Sequence, residues 1–467
     1  MQEYVIELSK YFIALFMVLY TGSCFYTFRY PVGEYSKGIF ILQNILMFLV
    51  QVLCFLDLSL PGGDLQYLFF FAFILIFLFA TITMVSLIYE NINRLLLNNM
   101  CMLLGIGLCM VSRLSFDKAI RQYVIVLVSL IMSLFIPFLL GRIHFFKKIT
   151  WLYATLGIGL LSTVLILGEV THGSKISFTM GGITFQPSEF VKLACIIVTA
   201  KYLESEADPM SNMRSVLRLG ILMGIPWVLT LAQGEMGSVL VMIFVFGVMM
   251  YFGGMRLRIM GGIIAAGVIG LALLYGYMTA TGSENYRLIR ILSFVNPELV
   301  DENAVYQVSN SKIAIGSGGI HGRGMFVQGS FSQLDYVPED WTDFIFSTIG
   351  EAFGFVGCAL VILTYLLIIV RMLYLARYTL DRFGQMVIIG VMAMLLFHVF
   401  ENIGMTTGLM PITGIPLPFL SYGGSNMVTN MGGVALVLNV TKNRSLSHTI
   451  ITPQTESNPY RFSGRIM

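Results

Sequence analysis

The side chains best suited to acid–base chemistry are concentrated in one polar segment, residues 281–342, of an otherwise strongly apolar sequence. The segment contains more acidic than basic side chains: Glu284, Glu298, Asp301, Glu302, Asp335, Glu339 and Asp340, against Arg287, Arg290, Lys312 and Arg323. A carboxylate can accept a proton from an attacking hydroxyl group, and a cationic side chain can stabilise a departing anion. If the protein catalyses a reaction, we expect its reactive groups to lie in this segment.

Two further acidic residues lie where apolar runs begin or end. Pro187 occupies the first position of a predicted helix, which places Glu189 and Lys192 three residues apart on one helix face, close enough to pair. Glu235 lies in a glycine-flanked break between two apolar runs, and such a break is tolerated at membrane depth only where it is buried or lines a cavity. Because ionisable groups are costly in a membrane, both places are candidate substrate-binding sites. A structural ion pair is the alternative for Glu189 and Lys192.

Polar residues also interrupt a third apolar run, at His398, Glu401 and Asn402, where we favour a satisfied interior pair. A glycine-rich stretch at 316–324 lacks the Gly-Lys-Ser/Thr ending of a nucleotide-binding loop. We therefore interpret it as a tight turn, or as a loop whose backbone amides approach a diphosphate.

The segment 411–425 contains three prolines, which exclude a regular helix. Its apolar character predicts a re-entrant loop packed among helices, and Ser421 in this loop is a candidate substrate-binding residue.

The composition excludes a water-soluble protein. The 467 residues are 57% hydrophobic and 11% charged, whereas a soluble domain is about a quarter charged. The net charge of +3 gives no reason to expect nucleic acid as a partner, and the six cysteines have no metal-ligand spacing, so no metal site is predicted. Apolar runs of roughly 20 residues predict an all-α membrane bundle of about thirteen spans. The predicted spans are 9–28, 38–59, 65–89, 95–114, 120–141, 150–168, 187–203, 216–232, 237–254, 258–278, 343–370, 385–404 and 426–441.

The distribution of Lys and Arg predicts the orientation in the membrane. These residues are concentrated in alternate short loops, which places those loops and the C-terminus in the cytoplasm, with Arg113, Lys118 and Arg121 as the exception. An odd number of spans then places the N-terminus outside. The large loop 281–342 is predicted to be extracytoplasmic, and the polar tail 445–467 is predicted to be disordered.

Seven short motifs, in collinear order, resemble the SEDS family (shape, elongation, division and sporulation), the RodA/FtsW/SpoVE-like proteins. They are Gln186-Pro187-Ser188-Glu189, Gln233 to Gly237, Tyr286-Arg287 to Asn296-Pro297, Tyr306-Gln307, Lys312 to Gly319, Trp341 to Phe346 with Gly350-Glu351, and Pro411 to Ser425. The run from Lys312 to Gly319 is more similar to the RodA branch than to the FtsW branch. The resemblance implies a family core at 93–444, preceded by a three-helix membrane extension at 1–92 and followed by the cytoplasmic tail.

The resemblance further implies a peptidoglycan glycosyltransferase that polymerises lipid II at the outer face of the cytoplasmic membrane, beside membrane lipids and a class B penicillin-binding protein that supplies the transpeptidase. In such a reaction a sugar hydroxyl attacks an anomeric carbon and undecaprenyl diphosphate leaves. We select Asp301 as the general base, with Glu298 and Glu302 as alternatives. A divalent cation, Mg or Mn, is a further candidate for stabilising the leaving group. The candidate substrate-binding residues are Glu189, Lys192, Glu235, Arg287, Arg290, Lys312 and Ser421. We expect a cavity open to the outer leaflet, walled by the spans 187–203, 237–254 and 343–370 and approached by Glu189, Glu235 and Asp301.

One spacing departs from the family pattern. The family's catalytic Asp, counted from Asn296, falls on Val300, and the acidic residue comes one position later, at Asp301. This offset supports the second of two other functions that stay open. One is a flippase or transporter for the same lipid, which needs polar groups along a path to the inner leaflet. The other is a degenerate family member that acts as a scaffold or regulator of a partner synthase.

Overall fold

The computed structural model describes residues 2–28, 37–60, 64–88, 92–140, 150–171, 174–180, 183–205, 213–262, 302–325 and 329–442, with residues 265, 267, 269, 272 and 276. Over these ranges the chain forms thirteen main helices. In chain order they are α1 (Gln2–Thr27), α2 (Lys37–Ser59), α3 (Leu65–Ile88), α4 (Arg94–Leu114), α5 (Phe116–Leu140), α6 (Thr150–Leu167), α7 (Pro187–Ser205), α8 (Met213–Gln233), α9 (Met236–Phe252), α10 (Glu302–Gly318), α11 (Ile345–Tyr378), α12 (Arg382–Thr407) and α13 (Gly424–Lys442). The prediction of a polytopic helical membrane protein is confirmed.

Twelve of the thirteen predicted spans coincide with one of these helices, and the span at 258–278 lies mostly outside the described residues. Among the described residues, eight helices are long and apolar enough to cross a membrane: α1 to α5, α8, α11 and α12. The helices α7 and α13 are less apolar because α7 carries four charged residues and α13 carries three asparagines. These two helices supply part of the polar site described below.

The first three helices pack directly on the rest of the bundle. The central helix α4 is almost completely buried and contacts α2, α3, α5 and α11. Tyr20 Oη of α1 donates to Asn99 Oδ1 of α4 at 3.2 Å, and Asn98 Nδ2 of α4 donates to Gln43 Oε1 of α2 at 3.1 Å. Lipid tails are as apolar as the helix surfaces, so no hydrophobic driving force brings membrane helices together. Interhelical hydrogen bonds of this kind therefore help to hold them in contact.

A small sheet is an addition to the predicted all-α fold. The strands β1 (Glu169–Thr171), β2 (Ser174–Met180) and β3 (Ile183–Phe185) form an antiparallel sheet in the order β1-β2-β3, with Val170 opposite Lys175 and Phe178 opposite Phe185. From Lys175 onward, the strand β2 alternates polar and apolar residues, which is the two-residue period of a strand. The sheet leads directly into α7 and so fixes the entry of the chain into the site.

The polar loop predicted at 281–342 contains a helix, α10, that the sequence analysis missed. It packs along α11, and Ser311 Oγ donates to Thr406 O at 2.8 Å near the end of α12. A Cβ atom at Gly318 would lie 2.0 Å from Gly350 O, and one at Gly322 would lie 2.2 Å from Ala352 O. The glycine-rich stretch therefore serves close packing against α11, as in the tight-turn interpretation.

The segment between α12 and α13 is non-helical and buried, as predicted for a re-entrant loop. Its backbone carbonyls accept hydrogen bonds from three helices: Tyr365 Oη donates to Pro418 O, Asn402 Nδ2 donates to Ile415 O, and Gln122 Nε2 donates to Ser421 O. These bonds satisfy backbone groups that have no helical partner, which is the condition for irregular backbone at membrane depth.

Candidate functional site

A buried group of ionisable and amide side chains lies where the ends of α7, α9, α12 and α13 meet. We call it the polar cluster, and its members are Glu189, Lys192, Glu235, His398, Glu401 and Asn430. Each is at most 9% exposed. The cluster lies at the same end of the bundle as the described part of the loop 281–342, because α10 in that loop is bonded to the neighbouring end of α12. We call this loop, which is predicted to be extracytoplasmic, the outer loop.

The local sequence explains how the first three members reach this point. Pro187 begins α7, which places Glu189 and Lys192 one turn apart on the inner face of that helix. Gly234 has φ of +98°, a conformation that glycine adopts without strain, and it ends the turn that brings Glu235 to the start of α9. The predicted break before α9 is therefore confirmed as a buried turn.

Lys192 is the centre of the polar cluster. Its Nζ atom lies 2.8 Å from Glu189 Oε1 and 3.1 Å from His398 Nε2. The lysine therefore bridges a carboxylate of its own helix and a ring nitrogen of α12. The predicted pairing of Glu189 and Lys192 is confirmed, and the pair is joined by a histidine that is 206 residues away in sequence.

The carboxylates of Glu235 and Glu401 are buried and accept no well-formed hydrogen bond from the described part of the chain, although the side chains of Ser188 and Ser238 lie near Glu235 and that of Thr413 lies near Glu401. One oxygen of Glu189 and the Nδ1 atom of His398 are likewise buried without a well-formed hydrogen bond in the described part of the chain. Buried polar atoms are normally paired, so several unpaired atoms at one point indicate a place built to bind polar groups. With three carboxylates beside one lysine, the cluster favours hydroxyl and amide donors over a diphosphate.

A resident metal ion is not supported by the described residues. No three His, Cys, Asp or Glu side chains within them are arranged to hold a metal ion. The carboxylates of Glu298 and Asp301 lie outside the described residues, so a Mg or Mn requirement stays a prediction about that part of the loop.

A second charged group anchors the outer loop to the bundle. Glu351 of α11 accepts hydrogen bonds from Phe331 N at 2.6 Å and from Ser332 N at 3.2 Å, and it faces Arg113 Nη2 at 3.8 Å. Arg113 Nη1 also donates to Thr348 O. This arrangement explains why Arg113 is an exception to the distribution of basic residues, because its charge neutralises a buried glutamate.

Asp340, in the same loop, is a titratable group that sequence reasoning did not single out as a site. Its side chain is 1% exposed, and burial, with the nearby Asp335 carboxylate, raises its pKa to about 7. The cations of Lys118 and Arg113 oppose this increase. Only the clustering of acidic residues at 335–340 was visible in the sequence, and the burial came from the fold.

Five other predicted site residues have no described side chain. Asp301, Glu298, Arg287 and Arg290 lie outside the described residues, and Glu302 begins α10 without a described side chain.

Two predicted binding residues, Lys312 and Ser421, have described side chains outside the polar cluster. Lys312 is exposed on α10, and its side chain approaches Gly408, just after α12. The Ser421 hydroxyl accepts a hydrogen bond from Leu417 N at 2.7 Å, which stabilises the re-entrant loop. Their roles in substrate binding stay predictions.

One of the three helices predicted to enclose the site does not border the polar cluster. We expected spans 187–203, 237–254 and 343–370 to enclose the site. The first two correspond to α7 and α9, but the remaining members come from α12 and α13. Helix α11 also packs against α12, but it contributes Glu351 to the loop anchor instead. A satisfied interior pair was predicted among His398, Glu401 and Asn402, and no sequence pattern marks Asn430.

Comparisons with known proteins agree with this architecture. The family model FTSW_RODA_SPOVE, described as "Cell cycle protein", matches residues 94–446. The peptidoglycan glycosyltransferase MrdB of Escherichia coli is 32% identical over 287 residues, which cover 62% of this chain and 76% of that protein.

Two solved structures share the fold. One is described as "Structural coordination of polymerization and crosslinking by a peptidoglycan synthase complex", with TM-score 0.63 and 24% identity over 76% of this chain and 99% of the other. The other is the rod shape determining protein RodA of Thermus thermophilus, with TM-score 0.58 and 25% identity over 76% of this chain and 98% of the other. The chain belongs to the FTSW_RODA_SPOVE family.

Proposed function

We propose that the protein is a peptidoglycan glycosyltransferase that polymerises lipid II at the outer face of the cytoplasmic membrane. The relative MrdB, which is named for this class of activity, supports the proposal, because the match spans three quarters of that protein. The observation that carries it in the structure is the polar cluster, a buried acid–base group next to the loop that contains the candidate carboxylates.

In this reaction, a carboxylate of the loop acts as the general base. The attacking sugar hydroxyl forms a bond to the anomeric carbon, and its proton passes to Asp301 as general base, or to Glu298 or Glu302. The bond between that carbon and the diphosphate oxygen breaks, and the electron pair leaves with undecaprenyl diphosphate. Arg287 and Arg290 neutralise the developing negative charge.

The polar cluster contains more carboxylates than cations, so we propose that the saccharide and the diphosphate of the substrate bind at different places. The polar cluster, with Glu189, Glu235 and Glu401 around Lys192, repels a diphosphate but accepts hydrogen bonds from sugar hydroxyl and acetamido groups. We therefore assign the saccharide to the cluster. The diphosphate is assigned to the basic residues of the outer loop, including the exposed Lys312 of α10.

A class B penicillin-binding protein is the proposed partner. The structure of a peptidoglycan synthase complex, which shares the fold of this chain, is described as coordinating polymerisation with crosslinking. The predicted orientation, with the N-terminus outside and the C-terminus in the cytoplasm, would place the loop 281–342 on the side where this crosslinking takes place.

The experiment that tests the base compares two Asp→Asn variants of one loop. Asp335 is exposed and has φ of 56°, a left-handed conformation that Asn tolerates, so Asp335→Asn is the matched control for Asp301→Asn. We expect polymer from wild type and Asp335→Asn, and none from Asp301→Asn, with lipid II binding retained in all three. Polymer from Asp301→Asn at the wild-type rate would move the base to Glu298 or Glu302.

A further inference from the structure

A cavity of about 310 Å³ lies between α2, α3 and α4, away from the polar cluster. Its lining includes Phe40 and Asn44 of α2, Ser86 of α3, and Arg94 and Asn98 of α4. Both α2 and α3 precede residue 94, where the match to the family model begins. The cavity is therefore a feature that the N-terminal extension creates at its contact with the family core.

The cavity lies at the end of the bundle opposite the outer loop. Arg94 is the first residue of α4, and Arg113, near the other end of that helix, contacts Thr348 and Glu351 beneath the outer loop. A helix of this length separates its ends by about 30 Å, the thickness of the hydrocarbon core. The lining residues also come from the early turns of α2 and α4 and the last turns of α3, so the cavity is at the depth of the lipid headgroups.

The lining combines one cation, several neutral polar groups and apolar walls. The Arg94 guanidinium lies 6.0 Å from the centre of the Phe40 ring. Asn44 Oδ1 is buried without a hydrogen-bond partner in the described part of the protein, and Asn98 is 2% exposed. Among the described residues that line the cavity, none is acidic. The N-terminus of α4 adds the positive end of a helix dipole beside the same arginine.

The cavity also opens towards the surroundings of the bundle. Leu87 of α3, which lines it, is 74% exposed, and Arg94 is exposed as well. A ligand with an anionic head and long apolar chains can therefore place its head beside Arg94 while its chains run along the outer surface of α3. Basic pockets between helices at the cytoplasmic interface bind phosphate headgroups in this way.

We propose that the cavity binds the headgroup of an anionic glycerophospholipid, with Arg94 as the principal phosphate ligand. The bound lipid contacts both the extension and α4, so it stabilises the packing of the extension on the core. The proposal does not depend on the catalytic function proposed above.

The test measures lipid binding to the full chain in detergent, by native mass spectrometry and by thermal unfolding. Phosphatidylglycerol is compared with phosphatidylcholine and with inorganic phosphate. We expect phosphatidylglycerol to remain bound and to raise the unfolding temperature, and the other two to have little effect. Arg94→Gln should weaken phosphatidylglycerol binding about tenfold, the effect of losing one charge-assisted hydrogen bond.

Two further variants make the result specific. Ser86→Phe fills the cavity but leaves Arg94 in place, and it should weaken binding to a similar extent. Arg258→Gln removes an exposed cation at the same end of the bundle, outside the cavity lining, and should bind as wild type. Equal binding of phosphatidylglycerol by wild type, Arg94→Gln and Ser86→Phe would overturn the proposal. Equal binding of phosphatidylcholine, or stabilisation by inorganic phosphate alone, would also overturn it.

Discussion

Breaking the ion pair within the polar cluster should destabilise the protein far more than breaking a similar pair on the same helix. Lys192 and Glu189 lie 2.8 Å apart with side chains 2% and 4% exposed, whereas Lys201 and Glu204 lie 2.9 Å apart with side chains 33% and 21% exposed. Both pairs are on α7 at a spacing of three residues. Burial is therefore the main variable that separates them.

The expected magnitudes follow from that difference in burial. The change Lys192→Met leaves Glu189 buried and uncompensated, which costs about 3–5 kcal/mol. The change Lys201→Met breaks a partly solvated pair worth less than about 1 kcal/mol. The unfolding equilibrium constant should thus rise about a hundredfold or more for Lys192→Met, and less than about tenfold for Lys201→Met.

Denaturant unfolding of the two variants in the same detergent measures both effects. The double variant Glu189→Leu/Lys192→Met removes both charges, and it should recover most of the lost stability, because replacing a buried pair by apolar groups is often neutral. Equal losses for Lys192→Met and Lys201→Met would refute the reasoning. A double variant as unstable as Lys192→Met alone would show that the loss does not come from an unpaired charge.

Three further predictions concern the outer loop and the re-entrant loop. Because the pKa of Asp340 is raised to about 7 in the folded protein, its contribution to stability falls as pH rises from about 4 to 7, and Asp340→Asn should remove this dependence from pH-dependent unfolding curves. Gly107→Ala places a Cβ atom 2.7 Å from the Leu420 backbone and should lower stability by about 1–3 kcal/mol in thermal unfolding, since the loop must shift. Glu351→Gln leaves Arg113 without its buried anion and should increase hydrogen exchange at 329–334, while exchange in α13 stays unchanged.

The sequence was sufficient for the local parts of the site. The spacing of Glu189 and Lys192 after Pro187 predicted the pair that the structure contains, because helix geometry alone places these side chains together. The three prolines after residue 410 predicted a non-helical segment for an equally local reason.

Features that depend on distant contacts could not be predicted in this way. His398 lies in an apolar run whose pattern predicts only a buried helix. The packing of α12 against α7 places its ring beside Lys192. The amphipathic character of α10 is weak, and the helix is held by glycine contacts to α11. Strand β2 did show an alternating pattern, but it is short and lies between two apolar runs.

The central claim is that this chain joins lipid-linked disaccharides, and polymerisation of lipid II by the purified protein tests it most directly. Wild type is incubated with lipid II and a class B penicillin-binding protein whose own active site is inactivated, and the glycan products are separated by size. We expect long glycan strands from wild type and none from Asp301→Asn. Movement of labelled lipid II across a vesicle membrane without any polymer, or no product from wild type with its partner present, would contradict the account.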